Sequence, residues 1–250
     1  LNAAAQPTPR IIEAFTLALS EPTPGGRLLG AAGLLAIRGQ LNQQQWNALL
    51  PALQKAGSDE TSGPAFARIY ELLALPANPT PPVDTTPVVM AILDARLARM
   101  AQGNGWPMAA DADAIQWLGG RMSTLANPQL QDRAALLIAR MMTHAVYAYA
   151  KNSLEDVISG LEVVVLAAEA QLGQVVNRRA SGKRPPSVTN ALLDGGAERT
   201  NRMLAELKKW IGTDDEPGLL NEAPFNFDVG LKISPPTVTA AATENSTAVR

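Results

Sequence analysis

The chain holds one imidazole, His144, inside Met141-Met142-Thr143-His144-Ala145-Val146-Tyr147. Histidine suits acid–base work near neutral pH, but that role needs a partnered carboxylate or nucleophile, and this apolar stretch supplies neither. It reads as one helix face, with the ring partly buried and a ring nitrogen bonded locally. Carboxylates fall into three groups: Asp111 with Asp113, the heptad-spaced Glu155, Glu162 and Glu169, and the run Asp214-Asp215-Glu216. The first and third offer oxygen ligands of the kind a divalent cation takes, and the second resembles a two-carboxylate site in spacing alone. Simpler roles account for all three. Asp111 caps or charges a helix start, where negative charge complements the dipole. The heptad acids form an exposed stripe, and the run beside Gly212 and Pro217 is solvated.

Other chemistry is excluded by composition. With no cysteine there is no disulfide, thiolate metal site or cysteine nucleophile, and one histidine rules out an HExxH metalloprotease. No GxSxG elbow occurs. Gly182-Lys183 has Asn177 where a phosphate loop needs its first glycine, and Arg184 where it needs serine or threonine. Gly103-Asn104-Gly105 has no third glycine at dinucleotide spacing. No catalytic residue, metal or cofactor is expected, and no enzymatic activity.

Charge distribution is the informative feature. The whole chain carries 21 basic and 23 acidic side chains, a formal charge of −2. Between Val176 and Trp210 lie eight basic residues against three acids, a local excess of +5, whereas residues 1–175 hold 11 basic and 14 acidic groups and residues 211–250 hold two and six. Arg178, Arg179, Lys183 and Arg184 flank a Gly-Pro loop; Arg199 and Arg202 share a helix face, extended by Lys209 one heptad on. Such a segment can follow a phosphate backbone without reading bases, with Trp210 as a base-stacking candidate. The alternative stands beside it: cations at helix C-termini are ordinary dipole complements, and the acidic tail can neutralise them within the molecule or on a neighbour.

The elements that must position these residues are helices. Pro at the first helical position loses nothing, since its missing N–H would be unpaired there; Thr8-Pro9, Gly63-Pro64, Thr86-Pro87 and Asn127-Pro128 therefore mark starts, and Gly39, Gly57, Pro76 and Gly103 mark stops. Three- and four-residue apolar spacing, as in Val89, Ile92, Leu93, Leu97 and Met100, predicts nine helices. They span about 9–20, 26–38, 42–56, 64–75, 87–102, 111–125, 128–150, 153–178 and 188–211. The expected fold is all-α, a multi-helix globular bundle with an N-terminal arm (1–8) and an extended C-terminal tail (212–250). Five prolines between Leu75 and Pro87 make a stiff connector, so lobes 9–75 and 88–211 either share a core or pack as halves. The tail resists helix through Pro217, Pro224, Pro235 and Pro236. It is nonetheless studded with Leu219, Leu220, Phe225, Phe227, Val229, Leu231 and Ile233, and from Phe225 onward it alternates like an extended strand.

Residues 1–9 lack the pattern of a secretory signal, and Leu1 reads as a processed or trimmed end. The longest apolar stretch, 157–170, contains Glu162 and Glu169 and falls short of the roughly 20 residues a membrane span needs, so no membrane partner is expected. Asn245-Ser246-Thr247 is a glycosylation sequon of the kind that arises by chance. These features predict a self-assembling structural protein, a viral coat or nucleocapsid-like subunit of virion or cytoplasm. On this reading it joins copies of itself through its apolar-studded ends into an oligomer or filament, with RNA as a further partner along the basic segment. The alternatives are a helical adaptor for a protein partner and, more remotely, an all-helical enzyme built around His144.

Overall fold

The apolar periodicities become ten α-helices in the computed structural model, which describes residues 7–74, 82–180 and 182–229 and contains no strand among them. In order they are α1 (Pro9–Leu19), α2 (Pro24–Ile37), α3 (Gln43–Asp59), α4 (Gly63–Ala74), α5 (Thr86–Ala101), α6 (Ala109–Met122), α7 (Pro128–Lys151), α8 (Glu155–Arg179), α9 (Val188–Leu193) and α10 (Arg199–Ile211). The helix starts follow from orphaned first-turn N–H groups. Asn42 accepts from the Gln45 amide while the Gln45 side chain accepts from the Asn42 amide, a reciprocal cap. Asn127 caps α7 by accepting from Gln129, and Asp84 accepts from Thr86 at the start of α5.

Two elements depart from the periodic reading. The span predicted as a helix over 188–211 is two helices, because Gly195 and Gly196 adopt φ of +64° and +80°, a left-handed conformation that ends α9 and is open to glycine at low cost. The expected strand-like stretch from Phe225 forms no strand through Val229, its Phe227 amide donating instead to the Leu220 carbonyl, while Leu231 and Ile233 lie outside the described residues, as do residues 1–6 of the arm and 75–81 before and in the proline connector. Helices on both sides of that connector contribute to one apolar cluster, with Leu34, Trp46 and Phe66 joined to Ile92, Ile115, Ile138 and Val164. α2 and α4 pack together, α4 meets α6, α3 meets α5, and α6, α7 and α8 form the other half of the layer.

A buried polar network crosses this core. Arg96 of α5 pairs with Asp111 of α6 through two hydrogen bonds, 2.9 Å from Nε and 2.7 Å from Nη2, with both residues buried. The Tyr70 hydroxyl of α4 donates to the same carboxylate at 3.2 Å, and the Met108 amide donates at 2.8 Å, so Asp111 also caps its own helix. The Arg96 guanidinium lies 4.1 Å from the centre of the Phe66 ring. Nearby, Glu60 is fully buried in the α3–α4 turn and accepts from Arg27 of α2 and from the Thr61 and Ser62 amides. Burial alone would raise its pKa; these donors outweigh burial and hold it below the ordinary carboxylate range.

The tail begins by finishing α10. Its last carbonyls have no partner within the helix, and Lys209 O and Trp210 O instead accept from the Leu219 and Leu220 amides at 2.8 and 2.9 Å. This requires Gly218 to lie against the helix end, where a Cβ would fall 2.1 Å from the Gly212 nitrogen. Leu220, Phe225, Phe227 and Val229 then bury themselves in the chain's own core, and Arg140 of α7 donates to the Asp228 carbonyl at 3.0 Å.

Removing one partner of the buried pair should be severe. Asp111→Ala is expected to cost about 3–5 kcal/mol, read by chemical denaturation, because Arg96 and Tyr70 are left without their acceptor. The apolar pair Arg96→Met with Asp111→Leu should lose less than Asp111→Ala alone.

Candidate nucleic-acid interface

Residues 182–187, α9 and α10 carry most of the basic segment, with Arg178 and Arg179 ending α8. α8 anchors them through its acids: the Thr189 amide donates to Glu169, and Glu162 lies 3.7 Å from Arg199. The heptad acids are therefore not the uniform exposed stripe expected. Glu155 is exposed, but Glu162 and Glu169 are half-buried, Glu162 beside Tyr149 and Arg199 and Glu169 at the Thr189 amide of α9.

Between these elements lies an open cleft of about 500 Å³. One wall is the face of α10 carrying Arg202, Ala205, Glu206 and Lys209, spaced i, i+3, i+4 and i+7; the opposite wall is the α9 face with Asn190, Ala191 and Asp194. The loop from Arg184 through Pro185 and Pro186 to Ser187 closes the end. Glu206 organises it, accepting from the Ser187 amide at 3.1 Å and from Lys209. The break at Gly195-Gly196 is what lets α10 fold back beside α9, and Arg202 ties the turn by donating to the Gly195 carbonyl.

Of the seven predicted phosphate-contacting residues, the cleft unites Arg184, Arg202 and Lys209. The others are spread and mostly engaged. Arg179 donates to Asp132 and Gln131 of α7, and Lys183 pairs with Glu222 of the docked tail at 3.0 Å. Arg199 donates to the Tyr149 hydroxyl at 2.9 Å, and that bond, with Glu162, raises its pKa further. Arg178 donates only to a carbonyl of its own helix, that of Gln174. Among the described residues neither Arg178 nor Arg184 forms an ion pair. Trp210 is a correction. Its exposure is 0%, so no base can reach it. Of the residues expected to join copies, Leu220, Phe225, Phe227 and Val229 are instead buried in cis and Leu219 is half-buried. The cause is local: the last α10 carbonyls accept from the Leu219 and Leu220 amides, which seats the apolar residues that follow against the chain's own core.

The remaining candidates carry no site. Asp111 is committed to Arg96, and among the described residues no group of three or more histidine or acidic side chains is placed to hold a metal ion. Likewise no described helix is long and apolar enough to cross a membrane. His144 is buried at 6% exposure, and its Nε2 has no hydrogen-bond partner, contrary to the local bond expected. Burial, aided by the charge of Arg140, lowers its pKa to about 4. No known family model, curated protein or solved structure matches the chain.

The histidine gives a pH signature of folding. The unfolded chain takes up the proton near pH 6.5 and the folded chain only near 4, so stability falls as pH drops through that window and levels off below it. The loss amounts to about 3 kcal/mol. Above pH 5 ordinary carboxylates contribute little, so denaturation between pH 6.5 and 5 isolates the effect. His144→Met should flatten it; an unchanged slope in that variant would show that another group titrates.

Proposed function

We propose that the chain is a self-assembling structural protein, a coat or nucleocapsid-like subunit, whose copies associate through the N-terminal helical hairpin and the segment beyond residue 229 and hold RNA by its phosphates. The observation that carries the assembly is α1. This helix of 11 residues buries only Leu19, while Leu17 is 64% exposed and Leu29 of α2 is 65% exposed, with Ile11 also outward. Single exposed leucines are common on protein surfaces; the reading rests on a helix so little buried by its own chain, with large apolar side chains left outward on it and on the helix beside it.

The RNA half is supported by Arg178, Arg184 and Arg202, the arginines of the basic segment that form no ion pair among the described residues. Contacts of this kind neutralise phosphates without regard to sequence and weaken with salt. Docking of residues 219–229 in cis leaves to assembly only what lies beyond them. A test by truncation must therefore begin at residue 230, since removal from 213 would take away the amides that finish α10 and four residues buried in the core. A helical adaptor for another protein is the competing reading, and it shares the hairpin surface.

Static light scattering separates the two. The purified full chain should show mass rising with concentration, and Leu17→Glu with Leu29→Glu should hold it to one chain with unchanged helical circular dichroism, because neither leucine is in the core. Wild-type protein that remains a single chain at every concentration would favour the adaptor. Deleting 230–250 should also reduce association while leaving the helices folded. Nucleic acid should co-purify in low salt and be lost in high salt; protein with the absorbance ratio of a bare polypeptide, and with no affinity for added single-stranded RNA, would remove the RNA half.

A further inference from the structure

We infer that the cleft between the 184–187 loop, α9 and α10 seats one unpaired nucleotide of a single-stranded RNA, its phosphate on Arg184 and Arg202 and its base against Pro185 and Pro186. This rests on the RNA half of the reading above and adds which form of nucleic acid enters, and where.

Charge sets the stoichiometry. The lining carries Arg184, Arg202 and Lys209 against Asp194 and Glu206, a balance of three cations to two acids, or +1. Lys209 and Glu206 are paired with each other, and the second Glu206 oxygen is occupied by the Ser187 amide. The guanidinium donors left over belong to Arg184, which forms no ion pair among the described residues, and to Arg202, which spends one N–H on the Gly195 carbonyl; Lys209 keeps two further N–H groups, but its charge is already offset by Glu206. Two guanidinium groups offering planar forks suit a single phosphate. A run of phosphates would meet Asp194 without a further cation to offset it.

Shape and surface set the form. About 500 Å³ lies within the range of pockets that enclose small organic ligands. Pro185 and Pro186, half-buried at the closed end, present rigid apolar faces whose backbone φ is already fixed, so little freedom is lost when a flat ring lies on them. Ala191 and Ala205 keep the facing walls low enough for a ring to pass. In a duplex the bases are stacked inside and only the phosphate rim is presented; a base free to enter a cleft is a property of single strands.

The experiment compares a fluorescent oligouridine with an RNA duplex of equal length by anisotropy, using the full chain, Ala205→Trp, and Arg184→Gln with Arg202→Gln. Ala205 is exposed, so tryptophan there fills the cleft without entering the core. Ala205→Trp is expected to weaken oligouridine binding about tenfold, the scale of one lost base contact, while leaving its salt dependence and the duplex affinity unchanged. The double glutamine variant should lower the slope of log affinity against log salt by about 0.7, the value for one phosphate on a single strand. Wild-type affinity in Ala205→Trp would overturn the seat while leaving RNA binding in place. An equal loss for the duplex would overturn the unpaired nucleotide. Absence of binding by the wild-type chain to either probe would overturn both this inference and the RNA half beneath it.

Discussion

The placement of an arginine and an aspartate out of reach of water, between α5 and α6, is the constraint on which the rest of this fold hangs. Removing each charge from water costs several kcal/mol, and the attraction between them offsets that only when every donor and lone pair finds a partner. Here the Asp111 carboxylate accepts from Arg96 twice, from Tyr70 and from the Met108 amide, while the guanidinium rests on Phe66. These demands fix α4, α5 and α6 relative to one another far more narrowly than apolar contact would. Tyr70, its pKa pushed well up by burial and by the neighbouring carboxylate, stays a neutral donor. The same region reaches back through Arg99 to the Glu60 carbonyl at 2.8 Å, and from Glu60 through Arg27 to α2. α6 in turn lies along α8, α8 packs on α9, and α10 packs on α9 and α7, so a chain of helix contacts links the polar cluster to the cleft.

Segregation of charge along the chain does not survive as segregation in space. The +5 segment and the acidic regions on either side of it meet once the helices pack: Arg179 finds Asp132, Arg199 finds Glu162 and Lys183 finds Glu222. Pairs this exposed contribute about 0–1 kcal/mol each to stability, so their main effect is to decide which cations remain available to an outside anion. What remains is narrower than the sequence window suggests: Arg184 and Arg202 in the cleft, with Arg178 and Lys208 outside it.

The helices were legible because their signals are local. Proline-marked starts, glycine stops and three-to-four apolar spacing lie within a few residues of what they specify, and nine spans were placed from them without a strand. The tenth helix was missed although Gly195-Gly196 was in plain sight, because the apolar pattern continues across it: Leu192 and Met203 are both buried, and periodicity alone reads through a turn that preserves the buried face. The buried role of Arg96 is illegible for the complementary reason. Its partner stands fifteen residues away on another helix, and no spacing rule connects two helices that meet only in three dimensions. The tail's apolar residues were recognised as docking groups, but sequence carries no sign of whether the receiving surface is cis or trans. That is decided by the unpaired carbonyls of α10.

The two halves of the proposed function are linked by their weakness. A cleft with a net charge near +1 and one seat for a nucleotide would hold RNA loosely in a single copy, and an exposed hairpin of three apolar side chains is small beside the roughly 1,200–2,000 Å² that stable interfaces bury. A strand long enough to thread several copies changes both. Once one cleft is occupied, the next nucleotides are held at high local concentration beside a neighbouring subunit, and affinities multiply without any new contact. By the same linkage, subunits brought together on the strand need less from their hairpin contacts, and those contacts raise the strand's affinity for the row by an equal factor. Assembly and RNA retention are then one cooperative equilibrium, set by subunit spacing and strand length rather than by the strength of either surface alone.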